Sequence, residues 1–305
     1  MEVDRHSWTA VMAAAIRAYH AAEPGPRIFE DTLADLLLTR DERQTYERVV
    51  SESLRRLDPA LADKYSDPTG IMYHGMRAGA GPALILSRAR YVEEALGRAV
   101  DGGVQQYVIV GAGLDTFALR WREPADRLQV FEIDHPATQA FKRERLRHAS
   151  LAEPAHLHFV PADLERESVS DALARTAHEP TRTSFFAWPG VTMYLTRDAI
   201  MATLRSVRSA SSIGSELVFD YFEPQAFAVD APLRVRSTVQ RAGQQGEPML
   251  SGFDSSRLPS DLKSVGFRLV EDLGPSEIQG SLLNGADGFC AGEYWHLARA
   301  VAEQP

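Results

Sequence analysis

Two glycines one residue apart, followed by acids at regular intervals, are the part of this sequence best suited to chemistry. The apolar run Tyr107-Val108-Ile109-Val110 ends in Gly111-Ala112-Gly113 and passes through Leu114-Asp115-Thr116 into a helical continuation. Glycine lets a backbone come close to a ligand, and the start of the following helix offers free N–H groups. The next apolar run closes on Phe131-Glu132-Ile133-Asp134, 23 residues after Gly111, and a third is followed by Asp163 in Val160-Pro161-Ala162-Asp163-Leu164. An acid ending the second strand is placed to accept hydrogen bonds from both ribose hydroxyls of an adenosine. Glu132 and Asp134 share a strand face. Asp134 lies nearer the carboxyl end and is favoured, with Glu132 as its neighbour. A dinucleotide site prefers a third glycine three residues after the second. That place holds Thr116, and Asp115 brings negative charge into the turn. Both suit a ligand without phosphates, and S-adenosylmethionine (SAM), an adenosine carrying an amino acid and a sulfonium, is such a ligand.

The elements that must hold these residues alternate. Short apolar runs at 107–110, 128–133, 157–160, 184–188 and 216–221 are separated by helix-like segments at about 136–148, 167–177 and 197–209. Strands alternating with helices mean βαβ units and a parallel sheet. Residues 267–273 and 293–300 add two strands that fit an antiparallel closing pair, with a helix at 255–265 before them. The first eighty residues read as helical, with Val11, Met12, Ala15 and Ile16 at helical spacing, a second run opening at Leu33, and a third over Tyr46–Leu57. Ser66 to Pro82 is rich in glycine and proline and reads as a mobile connection, and a helix follows over 83–100. Residues 223–252, with Pro224, Pro232 and Pro248, read as a lid or substrate loop. The expected architecture is a doubly wound α/β domain spanning 1–305. It divides into a helical cover (1–82), a cofactor core (83–222), the lid (223–252) and a C-terminal helix with a strand pair (253–305).

Composition excludes several classes. The chain of 305 residues has a formal net charge of −9, which disfavours a nucleic-acid surface. No segment reaches about eighteen consecutive apolar residues, so no membrane span is expected. Cys290 is the sole cysteine, which rules out an internal disulfide and CxxC metal motifs. Together with the lack of a signal sequence it suggests a cytoplasmic protein, with Cys290 a packing residue near the last strand. Of the 33 basic residues only Lys64, Lys142 and Lys263 are lysines. The basic run Lys142–Arg147, interrupted by Glu144, reads as a solvated helix face. His156 and His158 alternate along a strand but lack a third metal ligand, so no metal is expected.

In order and spacing, VIVGAGLDTFALRW, VFEIDHPATQAFKRERL, FVPADL and GVTMYLTRDAI resemble the leucine carboxyl methyltransferase family. The resemblance is strong over about 83–221 and weaker towards both ends. It implies a Rossmann-like class I SAM-dependent methyltransferase fold with a seven-stranded, mostly parallel sheet. It also implies a bacterial O-methyltransferase branch, some of whose members act on polyketides in secondary metabolism. By resemblance Arg88 holds the SAM carboxylate, while Gly111, Ala112 and Gly113 line the methionine side. Asp134 takes the ribose, and Asp163 with Leu164 takes the adenine. Arg17 loosely matches a basic N-terminal residue near the site. Members commonly carry a glutamate just before the GVTMYL-like segment, near the SAM ammonium. Here Trp188-Pro189 occupies that place, leaving a backbone carbonyl or Asp115 to neutralise the ammonium.

Methyl transfer from a sulfonium is an in-line displacement whose reactivity resides in the cofactor. A carboxylate acceptor is ionised at pH 7, whereas a phenol gains from a general base. His74 and His20 are the candidate bases, and Tyr194 is a candidate wall of the acceptor pocket. The expected activity is methylation of a carboxylate or hydroxyl oxygen of a small molecule by a monomer or homodimer. Methylation of a protein tail and a catalytically inactive SAM-binding scaffold are the alternatives.

Overall fold

The computed structural model describes residues 7–65, 67–124, 127–244, 246–286 and 288–304. The first six residues of the expected helical cover, Ser66 of the expected mobile connection and Gln245 of the expected lid lie outside that description. The chain opens with helices α1 (Trp8–Ala22), α2 (Arg40–Leu57), α3 (Pro59–Ala62), α4 (Pro68–Ala78) and α5 (Ala80–Asp101). Then come β1 (Gln106–Val110), α6 (Phe117–Arg120), β2 (Gln129–Asp134), α7 (Pro136–His148), β3 (Leu157–Pro161), α8 (Val169–Ala174), β4 (Ser184–Trp188), α9 (Arg197–Ser209) and β5 (Glu216–Phe222). It closes with α10 (Leu233–Gln244), α11 (Leu258–Lys263), β6 (Phe267–Leu273), α12 (Pro275–Ser281) and β7 (Trp295–Ala302).

The seven strands form one sheet in the order β3-β2-β1-β4-β5-β7-β6. β1 to β5 pair in parallel, and β7 runs antiparallel between β5 and β6. The expected doubly wound α/β fold with an antiparallel closing pair is therefore present. Both faces of the sheet are covered, which explains the continuous apolar runs. Tyr107 and Ile109 of β1 face the layer that includes α1 and α5, while Val108 and Val110 face the layer of α8, α9 and α11. The strand order reverses between β1 and β4, and the crevice outside their carboxyl ends is where ligands bind in open α/β sheets.

Several expectations need correction. Residues 66–82 are not a mobile connection. Asp67 accepts from the Gly70 N–H at 2.7 Å and Pro68 takes the first helical position, so a turn-like Asp-Pro pair starts α4. Gly75 inside that helix makes room for α2, since a Cβ there would lie 2.4 Å from Val50. The run opening at Leu33 gives only a single 3-10 turn, Ala34–Leu37, and a Thr39–Glu42 capping box then starts α2 afresh. Residues 223–252 are not an irregular loop either: they hold α10, flanked rather than interrupted by Pro232 and Pro248. Lys142 is not solvated. It is 1% exposed and its Nζ donates to Glu132 Oε2 at 2.6 Å, although Arg143 beside it is exposed. Cys290 is exposed rather than packed. No helix among the described residues is long and apolar enough to cross a membrane.

Candidate active site

A cavity of about 900 Å3 opens over the carboxyl ends of β1 and β4, at the upper end of the range for small-molecule sites, roughly 300–1,000 Å3. Gly111, Ala112, Gly113 and Asp115 line it. Both glycines are required by the backbone, with φ of +78° and +53°. They are also required by packing. A Cβ at Gly111 would lie 2.7 Å from Val191, and one at Gly113 would lie 2.9 Å from the Ala10 Cβ of α1. Free N–H groups are expected at the start of the following helix; in the turn before it, four amides already have partners. The amides of Gly111 and Ala112 donate to Ile133 O, that of Gly113 to Asp134 Oδ2 at 2.5 Å, and that of Asp115 to Ala112 O. Asp115 Oδ1 accepts the Phe117 N–H at the start of α6, a helix of a single turn. Such a turn has little left to offer a phosphate, in keeping with the place held by Thr116.

Asp134 and Glu132 part company despite their shared strand face. Asp134 sits half-buried on the cavity lip, where the His135 N–H donates to its Oδ1 at 2.6 Å. Desolvation outweighs these hydrogen bonds and raises its pKa. Glu132, one residue pair deeper, is 1% exposed and does not line the cavity. Its partner is Lys142, and burial pushes its carboxyl up to about 7 despite that cation. Glu132 is therefore a buried ion-pair residue, not a neighbour of the ligand. Asp163 and Leu164 line the cavity beyond β3.

Arg88, from the middle of α5, lines the cavity and is held from behind by a residue the sequence reading did not single out. Asp220, fully buried in β5, accepts from Arg88 Nη1 at 3.3 Å, Trp295 Nε1 at 3.0 Å and the Gly190 N–H at 2.5 Å. Gly190 has φ +74°, and a Cβ there would lie 2.6 Å from the guanidinium. A lone acid inside the apolar strand Leu217-Val218-Phe219-Asp220-Tyr221-Phe222 was the available signal. Trp188 and Pro189 line the cavity next to it, and the buried Trp188 Nε1 has no hydrogen-bond partner among the described residues.

Asp31 is a second acid not singled out. Fully buried, it takes Arg17 Nε at 2.8 Å and the Thr116 hydroxyl at 2.7 Å, with Arg120 Nε 3.5 Å away. Burial alone would raise its pKa, but Arg17 and Arg120 hold it below the usual range. Arg17 also donates to Leu114 O at 2.7 Å, tying α1 to the glycine turn, and it lines the cavity. The roof is closed by the segment after α10, where Glu247 accepts from Ser7 Oγ at 2.9 Å and from Thr9 Oγ1.

Of the three catalytic candidates, only Tyr194 lines the cavity, and burial raises its pKa. His20 is 1% exposed, accepts the Ile28 N–H at Nε2 and meets Phe289 edge-on. His74 lies in α4, stacked on Tyr65. Neither lines the cavity, so the geometry removes both as bases. Among the described residues, the histidine that does line it is His135, beside Asp134 at the head of α7. His156 pairs with Ala118 O and His158 with Gln129 Oε1, so the two are not turned to a common ion.

The model of the leucine carboxyl methyltransferase family matches residues 10–208. A Bacillus subtilis (strain 168) protein named as the S-adenosyl-L-methionine-dependent methyltransferase YktD is 35% identical over 304 residues, covering 99% of both chains. A protein of the same designation from Frankia alni, FRAAL3718, is 31% identical over 68% of this chain and 66% of its own. Among solved structures, a DUF574 family protein from Streptomyces avermitilis superposes with a TM-score of 0.56 at 13% identity, over 96% of this chain and 97% of that one. This last likeness concerns the fold.

Proposed function

Because the chain belongs to the leucine carboxyl methyltransferase family and is a SAM-dependent methyltransferase, we propose that it methylates an oxygen of a small-molecule acceptor, a carboxylate in preference to a hydroxyl. The observation that supports this reading is that neither expected base, His20 nor His74, lines the cavity among the described residues. His135, the histidine that lines the cavity among the described residues, stands beside Asp134, and Tyr194 is a phenol that burial keeps protonated at neutral pH. A carboxylate needs no proton removed, whereas a phenol of pKa about 10 gains from a base.

The donor set suits SAM. Arg88, held by Asp220, faces the amino-acid carboxylate with a forked guanidinium. Asp134 keeps acceptor capacity for the ribose beyond its two backbone N–H bonds. Asp163 and Leu164 flank the adenine, and Asp115 offers negative charge to the ammonium that Pro189 cannot neutralise. When bound, SAM supplies a methyl group on a cationic sulfur that leaves as a neutral thioether. The protein's task is to align the acceptor oxygen with that methyl group and to exclude water. The closure of α1 over the glycine turn and the Glu247 contacts to Ser7 and Thr9 serve the second purpose.

Transfer of radiolabelled methyl from SAM into a metabolite extract tests the reading. Label is expected in a small molecule and is expected to be released by alkali, as a methyl ester is. Alkali-stable label would replace the carboxylate by a hydroxyl. Label confined to polypeptide would favour the protein-tail reading that the family name suggests. Asp134→Ala is expected to weaken S-adenosylhomocysteine (SAH) binding about 10- to 100-fold by calorimetry, the worth of hydrogen bonds to a charged group.

A further inference from the structure

Beside the cofactor cavity lies a second chamber of about 130 Å3, and Thr9, Ile85 and Tyr194 line both. On its other side, Val49 and Arg241 are shared with an outer recess of about 250 Å3 that Glu52, Arg56 and Gln244 complete. The three spaces thus lie in a row, from the surface between α2 and α10 to the cofactor cavity. The middle chamber is close in size to the engineered cavity of about 150 Å3 that takes up benzene, so it has room for one ring or a short chain. Met12, Ile16, Val50 and Met249 give it apolar walls.

Polar groups in that lining lack partners among the described residues: the Arg234 Nε and, more fully, Tyr46 and Arg241. Tyr46 is 2% exposed, and its Oη has no hydrogen-bond partner among the described residues. A buried hydroxyl left unpaired is costly, and such groups call for an explanation. Arg241 is half-buried and makes no hydrogen bond or ion pair among the described residues. Burial and the neighbouring Arg56 both lower its pKa, against weaker opposing effects of Tyr46 and then of Glu52, which is exposed at the outer recess. An under-neutralised guanidinium and an orphan hydroxyl in one apolar chamber match an oxyanion on an apolar stem.

We propose that this chamber binds the far end of the methyl acceptor, and that this end is a carboxylate or similar oxyanion carried on a single ring or short chain. Arg241 and the Tyr46 hydroxyl hold the anion, while the acceptor passes Tyr194 to present its other end to the cofactor. This rests on the small-molecule methyltransferase reading and narrows it to acceptors with an acidic group remote from the methylated oxygen.

The test is calorimetric, on the full chain loaded with SAH, and compares 4-phenylbutyrate with the uncharged 4-phenylbutan-1-ol. The acid is expected to bind at least tenfold more tightly. Arg241→Met should bring the two within twofold, Arg241→Lys should keep the preference at lower affinity, and Tyr46→Phe should weaken the acid three- to tenfold. SAH affinity should stay unchanged in all three variants. Equal affinities in the wild type, or a preference that survives Arg241→Met, would overturn the proposal while leaving methyl transfer intact. A wild type that fails to bind SAH would instead sink the cofactor reading, and the acid–alcohol comparison on the unloaded protein would still decide the role of the chamber.

Discussion

The floor of the cofactor cavity and the wall of the neighbouring chamber are built on opposite principles. In the floor, buried charges are paired: Asp220 with Arg88, Trp295 and Gly190, and Asp31 with Arg17, Arg120 and Thr116. In the chamber wall, Tyr46 and Arg241 stand without partners among the described residues. A floor whose groups are already oriented spends little on reorganisation when a ligand arrives. A wall with unpaired polar groups discriminates instead, because an acceptor lacking the matching group leaves them unpaired. The contrast separates a site for a constant cofactor from a site for a selected acceptor.

The largest test of that contrast removes the centre of the floor. Asp220→Ala strands the Arg88 guanidinium, and breaking a buried pair in this way costs about 3–5 kcal/mol. Urea unfolding should show a loss of that size, and calorimetry a fall in SAH affinity of about 100-fold or more. A variant as stable as the wild type would show that the floor is not held by its pairs. The next test uses a group remote from both regions. His178 is buried against Phe131 and Phe186 at the amino end of β4, and burial pushes its pKa down to about 4. Below about pH 6.5 the unfolded chain takes up this proton first. The stability His178 contributes is therefore full above that pH and is lost as pH falls towards 4, by about 3 kcal/mol. His178→Asn should remove this share of the acid sensitivity seen in unfolding midpoints, without altering SAH binding at neutral pH. The smallest change loosens the roof. Glu247→Gln replaces the carboxylate that accepts from Ser7 and Thr9, and the loss of about 1 kcal/mol should appear as a roughly fivefold faster SAH release in stopped-flow measurements, with little change in Tm.

The two regions also differ in how far they could be read from the sequence. Strand 184–188 and helices 136–148 and 197–209 match the structure to the residue, because glycine, proline and capping residues bound them sharply. Asp134, Asp163 and the glycine turn follow from strand ends, and all reach the cavity. Asp220 was hidden because its partners come from α5, from the turn after β4 and from β7, 132, 30 and 75 residues away. The chamber was hidden for the same reason: Tyr46 and Arg241 sit on helices with no local pattern that joins them. Local rules misled where one pattern serves two ends, as when Asp67-Pro68 opened a helix instead of a turn, and where the tertiary fold buried Lys142 from an otherwise polar helix.

The lone thiol offers a way to watch the less legible region. Cys290 is exposed, and Arg234 of α10 donates to its carbonyl at 3.4 Å, while Phe289 beside it packs on His20 at the end of α1. A single maleimide dye would therefore attach at one known point, beside α10 and one residue from a contact with the end of α1, two of the helices that wall the acceptor chamber, with no other cysteine to remove first. The chain comes with its own reporter position, and acceptor binding can be followed as a change in fluorescence before the acceptor itself has been identified.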